Sequence, residues 1–183
     1  MSIPSINPIR SQIRDAVLYA LRNRIIGGGI AIRYSSEGNT TVSDAGYYHT
    51  IRHAFDPPRT FEQMQEFPCA NVYIDAESCE NAANVQIDQN QAALHNSFTL
   101  VMEICINETN NPALIQDQIL ADIQKYFGIN YFIPDSAGNA TCFNCYYLSS
   151  DPWGTDRTRP NCGITVNYIV WYRQKLTDPT QKI

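Results

Sequence analysis

The chain predicts an α+β fold, a two-layer sandwich in which a mostly antiparallel sheet carries two main helices on one face. Three observations lead there. Ile6, Ile9, Ile13, Val17 and Leu21, with Ala16 and Ala20 beside them, recur at the three- and four-residue spacing of an amphipathic helix. Phe98, Leu100, Met102, Ile104 and Ile106 alternate with Thr99, Val101, Glu103 and Cys105, as in a central strand that commits one face to a core. Just beyond, Leu114 or Ile115, Ile119, Ile123 and Phe127 make a second helical stripe in ALIQDQILADIQKYF. Two apolar stripes and one apolar sheet face bury one another as two layers.

The other elements follow from local chemistry. Asn7 and Pro8 suit an N-cap and a first helical residue, and Gly27-Gly28-Gly29 stops the first helix, which spans roughly 8 to 26. Ile30 to Tyr34 is a short β-like run, and the polar stretch near 35–45 reads as a loop. A second strand is expected over 46–55, with Tyr47, His49, Ile51, His53 and Phe55 on one side, ended by Pro57-Pro58. FEQMQEF allows a turn of helix. CANVYID places Ala70, Val72 and Ile74 opposite Asn71, Tyr73 and Asp75, the pattern of a half-buried strand. Residues 76–95 read as a mobile acidic loop. Asn111-Pro112 opens the second helix and Gly128 closes it. Strands are expected at Cys142–Leu148 and Ile164–Tyr172, with a loop, SSDPWGTDRTRPN, between them and a polar tail over 174–183.

A length of 183 residues suits one core, so 1–183 is taken as a single domain. Hydrophobic residues make up 44% and charged residues 17%, below the usual quarter, which leaves uncharged surface for protein contacts. No apolar run approaches the roughly 18 residues of a membrane span, so no membrane partner is expected. Arginines throughout Ile3–Arg24 do not fit a secretion signal, and the six cysteines are expected to be reduced thiols in the cytosol. Charge is uneven along the chain: residues 1–59 sum to +3, 60–156 to −12 and 157–183 to +4. Solvated loops of differing sign explain this, and so does a head-to-tail contact between identical subunits.

Few residues suggest chemistry. Cys142 and Cys145 form C-x-x-C, but in a strand such positions point to opposite faces, and a zinc site would need ligands from Cys162, Cys79, His49 or His53 with no second pair at knuckle spacing. His49 and His53 lack the glutamate of H-E-x-x-H and read as surface or subunit-contact residues. Arg10 and Arg14 lie one helical turn apart, with Arg22, Arg24, Arg33, Arg52 and Arg59 further on. The negative total and the scarcity of lysine argue against a nucleic-acid reader, so these arginines are expected to face water or a neighbour's carboxylates. No nucleophile or acid/base motif stands out, and no cofactor is expected.

The order helix, two strands, a strand after a Phe-Pro pair, a long strand, a second helix and a closing pair of strands resembles the tail terminator and neck proteins of tailed bacteriophages. The matching elements are SQIRDAVLYALRNRI, FPCANVYIDAE, FTLVMEICI with ALIQDQILADIQKYF, and ITVNYIVWYRQKLTDP, roughly half of the chain. The polar insertion near 35–45 and the tyrosine- and cysteine-rich stretch 129–162 depart from that pattern. The resemblance implies a non-enzymatic virion subunit assembled in the host cytoplasm. It implies a homo-oligomer, commonly a hexameric ring, that caps the tail tube protein and joins it to a neck or connector protein, with DNA passing through unbound. On this reading Arg10, Arg14, His49, Arg52, His53, Trp171 and Arg173 are expected at subunit or partner contacts. Glu77, Glu80 and Asp88 of the acidic loop are expected to face the channel, where like charge repels DNA. A head-completion, connector or other tube-associated subunit is the alternative among structural proteins. A small metal- or thiol-dependent enzyme using Cys142, Cys145 and a histidine is the alternative outside them.

Overall fold

A computed structural model of the chain describes residues 8–25, 31–33, 40–42, 51, 53–56, 58–64, 67–79, 93–107, 112–154, 161–175 and 180. Helix α1 spans Ile9–Asn23. It is followed by β1 (Ala31–Arg33), β2 (Thr40–Val42), β3 (His53–Phe55), a 3-10 turn (Phe61–Gln63), β4 (Cys69–Cys79), β5 (Ala93–Asn107), α2 (Pro112–Ile129), β6 (Asn144–Trp153) and β7 (Asn161–Lys175). β1 and β2 form their own antiparallel pair. The main sheet has the order β3-β4-β5-β7-β6, antiparallel except for β3, which runs parallel to β4. The fold is the expected α+β sandwich.

β5 and β7 pair without interruption from Ala93–Lys175 to Asn107–Asn161. Alternation along both strands turns Leu100, Met102, Ile104, Val166, Tyr168 and Val170 to one face, all of them buried. The helices lie side by side on that face, α1 over β3 and β4, α2 over β6 and β7. Ile9, Ile13, Val17 and Leu21 descend from α1, and Ile115, Ile119, Ile123 and Phe127 from α2. Each such aliphatic side chain contributes about 1.5–3 kcal/mol by leaving water. Leu114, the other candidate for the α2 stripe, is exposed. Phe127 packs on Tyr168 with ring centroids 5.2 Å apart, which fixes the end of α2 over β7.

Among the described residues the opposite face is covered at one end, by Met64 over Cys69 and Cys105, ringed by Phe55, Phe61, Phe67 and Trp153. Gly163 lies in this row, directly opposite Cys105 on one side and Trp153 on the other. A Cβ there would run into the Ile104 carbonyl oxygen and the Trp153 indole, so the close approach of the indole requires glycine. Gln116, buried on α2, locks the same junction: its Nε2 donates to the carbonyl oxygens of Trp153 at 3.0 Å and Gly163 at 2.6 Å.

Several boundaries differ from expectation. Pro8 is the N-cap of α1, its carbonyl accepting from the Gln12 N–H at 3.0 Å, and the helix ends at Asn23. Thr40–Val42, expected in a loop, is a strand because it pairs with Ala31–Arg33. Within the expected 46–55 strand only His53–Phe55 is a described strand. His53 and Phe55 share one side of it as expected; parallel pairing sets Ala54 opposite Ala70 and turns Ala54 into the core, and Ile51, expected on the side of His53 and Phe55, is buried in the core cluster that holds Ala54. The acidic loop is shorter than 76–95. After an irregularity between Ile74 and Glu77, β4 resumes pairing with β5 from Glu77 to Cys79, and a Ser78–Ser97 hydroxyl contact of 2.8 Å joins the two polar ends. Gly128 lies inside α2; Asn130 closes the helix, its backbone N–H and side-chain amide both donating to the Tyr126 carbonyl. SSDPW is strand, as β6 follows β7 to Gly163. Gln174 and Lys175, assigned to the tail, end β7. The glycines at 27–29 lie outside the described residues.

The Gly163→Ala chain should be less stable by about 1–3 kcal/mol, the cost of overpacking a filled site. Denaturant titration of that variant, with Trp153 emission as a second probe, checks both the loss and its location.

Candidate functional site

The chemistry-bearing surface lies at the two edges of the main sheet. At the β3 edge, Asn71 reaches from β4 to the segment that follows β3. Its Oδ1 accepts from the Arg59 N–H at 2.8 Å, and its Nδ2 donates to the Arg59 carbonyl at 2.9 Å and to Glu103 Oε2 at 3.1 Å. A buried side chain thus acts as a strand partner for one residue of backbone. The Arg59 side chain is thereby placed over the Phe55 ring, Cζ 4.3 Å from the centroid, a cation–π contact. From α1, Arg22 donates to the Ala54 carbonyl through Nε at 3.0 Å and through Nη2. Arg22, Phe55, Asp56, Pro58, Arg59 and Gln63 line an open cleft of about 530 Å³.

Charge in this cleft is unbalanced. Asp56 is taken by Arg14, Nε to Oδ2 2.7 Å, at an angle that makes the contact ionic rather than a directed hydrogen bond. Neither Arg22 nor Arg59 meets a carboxylate among the described residues. Each keeps a guanidinium that can donate in a fork to an incoming acid.

The other edge is β6. Tyr146, Tyr147 and Leu148 are all exposed large side chains in one run, near exposed Phe143 and Tyr131. The register shifts between Tyr147 and Ser149, which sets Leu148 outside the ladder. Tyr146 and Asp151 stand opposite Ile169 and Thr165 of β7, on the face away from the helices. Asp151, the single charged residue of β6, is exposed and has no partner among the described residues. Contiguous apolar exposure of this kind marks contact surface.

The residues singled out from sequence fall differently. Arg10 donates to Glu77 Oε2 at 2.6 Å, and the Tyr172 hydroxyl donates to Glu77 Oε1. Glu77 is therefore a strand residue engaged by α1 and β7, not a loop residue. Burial, with the hydrogen bond to Glu77, raises the Tyr172 phenol above its usual range. Arg10 and Arg14, expected to meet water or a neighbour's acids, are both paired within the chain. His53 is exposed and stacks on Phe55 at 6.1 Å. Trp171 is half-buried, and Arg173 lies 4.9 Å over the Phe143 ring. His49, Arg52, Glu80 and Asp88 lie outside the described residues.

The thiols of Cys69, Cys105, Cys142, Cys145 and Cys162 are interior groups. Cys142 precedes β6 rather than lying in it, so the C-x-x-C pair does not split across the sheet; both side chains join the main core. Cys142 Sγ is 3.6 Å from the Tyr131 carbonyl. Burial pushes the Cys145 thiol up from 9.0 to about 12. Cys69 lies 3.0 Å from the Met64 sulfur, and the hydrogen bond to Cys69, together with burial, raises Cys105 strongly. Among the described residues no three His, Cys, Asp or Glu side chains are placed to hold a metal ion.

Sequence reasoning noted Arg22 and Arg59 only within a general arginine cluster and missed Asn71, Tyr146, Leu148 and Asp151. The available signal was YYL at 146–148, three adjacent large side chains that cannot share the buried face of a period-two strand. No protein-family model matches the chain, and no curated protein matches its sequence.

Two outcomes follow. Replacing Asn71 by Ala leaves the Arg59 backbone groups and Glu103 short of partners and should cost about 1–3 kcal/mol, read by thermal or chemical unfolding. Cys145 is protonated in the folded chain up to about 12, whereas it ionises near 9.0 when unfolded. Its contribution is thus complete below 9.0 and is lost as the pH rises toward 12. Stability should fall across that window, and a Cys145→Val chain should fall less steeply.

Proposed function

We propose that the chain is a structural virion subunit, a tail terminator whose ring caps the tail tube and joins it to the neck or head connector. The element order carries this reading: a leading helix, a strand after a Phe-Pro pair, a long central strand followed directly by a second helix, and a long closing strand. The architecture supports it, since two helices on one face of a sheet hold the molecule rigid while both sheet edges remain at the surface. The edges offer contact chemistry, with unbalanced guanidiniums at one and exposed tyrosine and leucine at the other. On this reading the channel-facing role passes from Glu77, which is engaged, to the segment holding Glu80 and Asp88.

The purified chain should form rings in negative-stain images and should arrest elongation of tube protein from the same phage by occupying tube ends. A chain that neither associates nor binds tube or neck proteins would overturn the proposal. Stoichiometric zinc in protein purified without chelator, lost on Cys142→Ser, would move the reading to the metal-dependent alternative.

A further inference from the structure

We infer that the Arg22–Arg59 cleft at the β3 edge of one copy receives the β6 edge of a second copy, with Asp151 meeting the two guanidiniums. The contact is argued from this chain's own surfaces; only its closure into a ring rests on the terminator reading.

The first argument is charge. Among the described residues the cleft holds two guanidiniums without a carboxylate, while Asp56, the acid beside them, is already neutralised by Arg14. β6 presents one charge, and it is negative and without an ion-pair partner among the described residues. Each surface lacks what the other carries.

The second argument is geometry. Strand order puts β3 and β6 at opposite ends of the sheet, four strand spacings or about 19 Å apart. The two surfaces therefore cannot satisfy each other within one molecule. Asp151 and Tyr146 project from the face away from the helices, and Phe55 belongs to the apolar cluster on that same face. Phe55, Asn71, Glu103, Thr165 and Asp151 stand in one row across the sheet, so two copies placed edge to edge with their helices on the same side bring Asp151 level with Phe55 and with the Arg59 guanidinium that lies over it. The junction joins unlike surfaces, so it is heterologous and propagates head to tail, closing if the rotation per copy permits.

The third argument concerns readiness. Asn71 holds the Arg59 backbone in place, and Phe55 holds its guanidinium, so the cleft is ordered before a partner arrives. Association then loses less conformational entropy than with a free arginine side chain. The displaced register at Leu148 and the presence of Pro152 interrupt the outer edge of β6, which favours side-chain docking over extension of the sheet by another strand.

The test is charge exchange between chains. Arg59→Glu and Asp151→Arg are made separately; among the described residues neither side chain pairs with an opposite charge, so unchanged circular dichroism is expected for both, with an unfolding midpoint unchanged for Asp151→Arg and lowered for Arg59→Glu by no more than its cation–π contact with Phe55. Each variant alone sets like charges at every junction, and its self-association, measured by sedimentation, should weaken roughly tenfold or more. Mixed in equal amounts, every junction between the two variants pairs opposite charges, and oligomers of wild-type size should return. If Arg59→Glu disturbs folding, Arg59→Gln replaces it, and a smaller loss of association in the same direction is expected. Wild-type chain that stays monomeric at all concentrations would overturn the inference. So would single variants that assemble like wild type, or a mixture that does not recover. Tube-end binding is scored in parallel: capping that survives in edge variants sinks this contact and leaves the terminator reading standing, whereas edge-dependent oligomers that ignore tube protein do the reverse.

Discussion

The pairing of β5 with β7 is the constraint on which the rest of the molecule depends. Fifteen residues of each strand face each other without a bulge. That register decides which side chains enter the core, since a slip of one residue would turn the whole apolar set to water. It also decides where everything else sits. β4 is laid down on one side and β6 on the other, the helices cover the face the register selects, and the two outer edges are carried as far from each other as a five-stranded sheet allows.

Around that spine, polar side chains do what backbone ladders do inside it. Asn71 supplies a donor and an acceptor to the segment after β3. Gln116 gathers the carbonyls of Trp153 and Gly163 beneath α2. Glu77 accepts from α1 and β7 together. Each link joins separate elements, and those of Asn71 and Gln116 are costly to remove because these amides are themselves buried, whereas the Arg10–Glu77 pair is open to solvent. The helices and strands are therefore joined by packing over the core and by directed polar contacts at its margins.

These margins explain what could be read from the sequence. Phe98–Ile106 and Ile119–Phe127 were legible because one face of each is committed to the core and the spacing records it. The ends of β4, β6 and β7 were not. Glu77–Cys79, SSDPW and Asn161-Cys162 have the composition of loops, and only a neighbouring strand gives them a ladder. β3 was legible in part: His53 and Phe55 do share a side, but parallel pairing turns Ala54 into the core, and Ile51, which the spacing groups with them, is buried in the same cluster as Ala54. The cleft was less legible still. Asn71 looks like any polar residue on a half-buried strand, and the link from Arg10 to Glu77 spans 67 positions, beyond what local spacing can register.

The sheet's unequal pairings also give the molecule a mechanical direction. A pull along β7 against β5 must shear fifteen residue pairs at once, whereas β3 is held to β4 by three. Force carried along the central strands meets a stiff element, and force applied across the sheet is released first at β3, the edge that bears the arginine cleft. Under load, then, the core would outlast the edge that bears the cleft, and β3 would part from the sheet before the central strands give way.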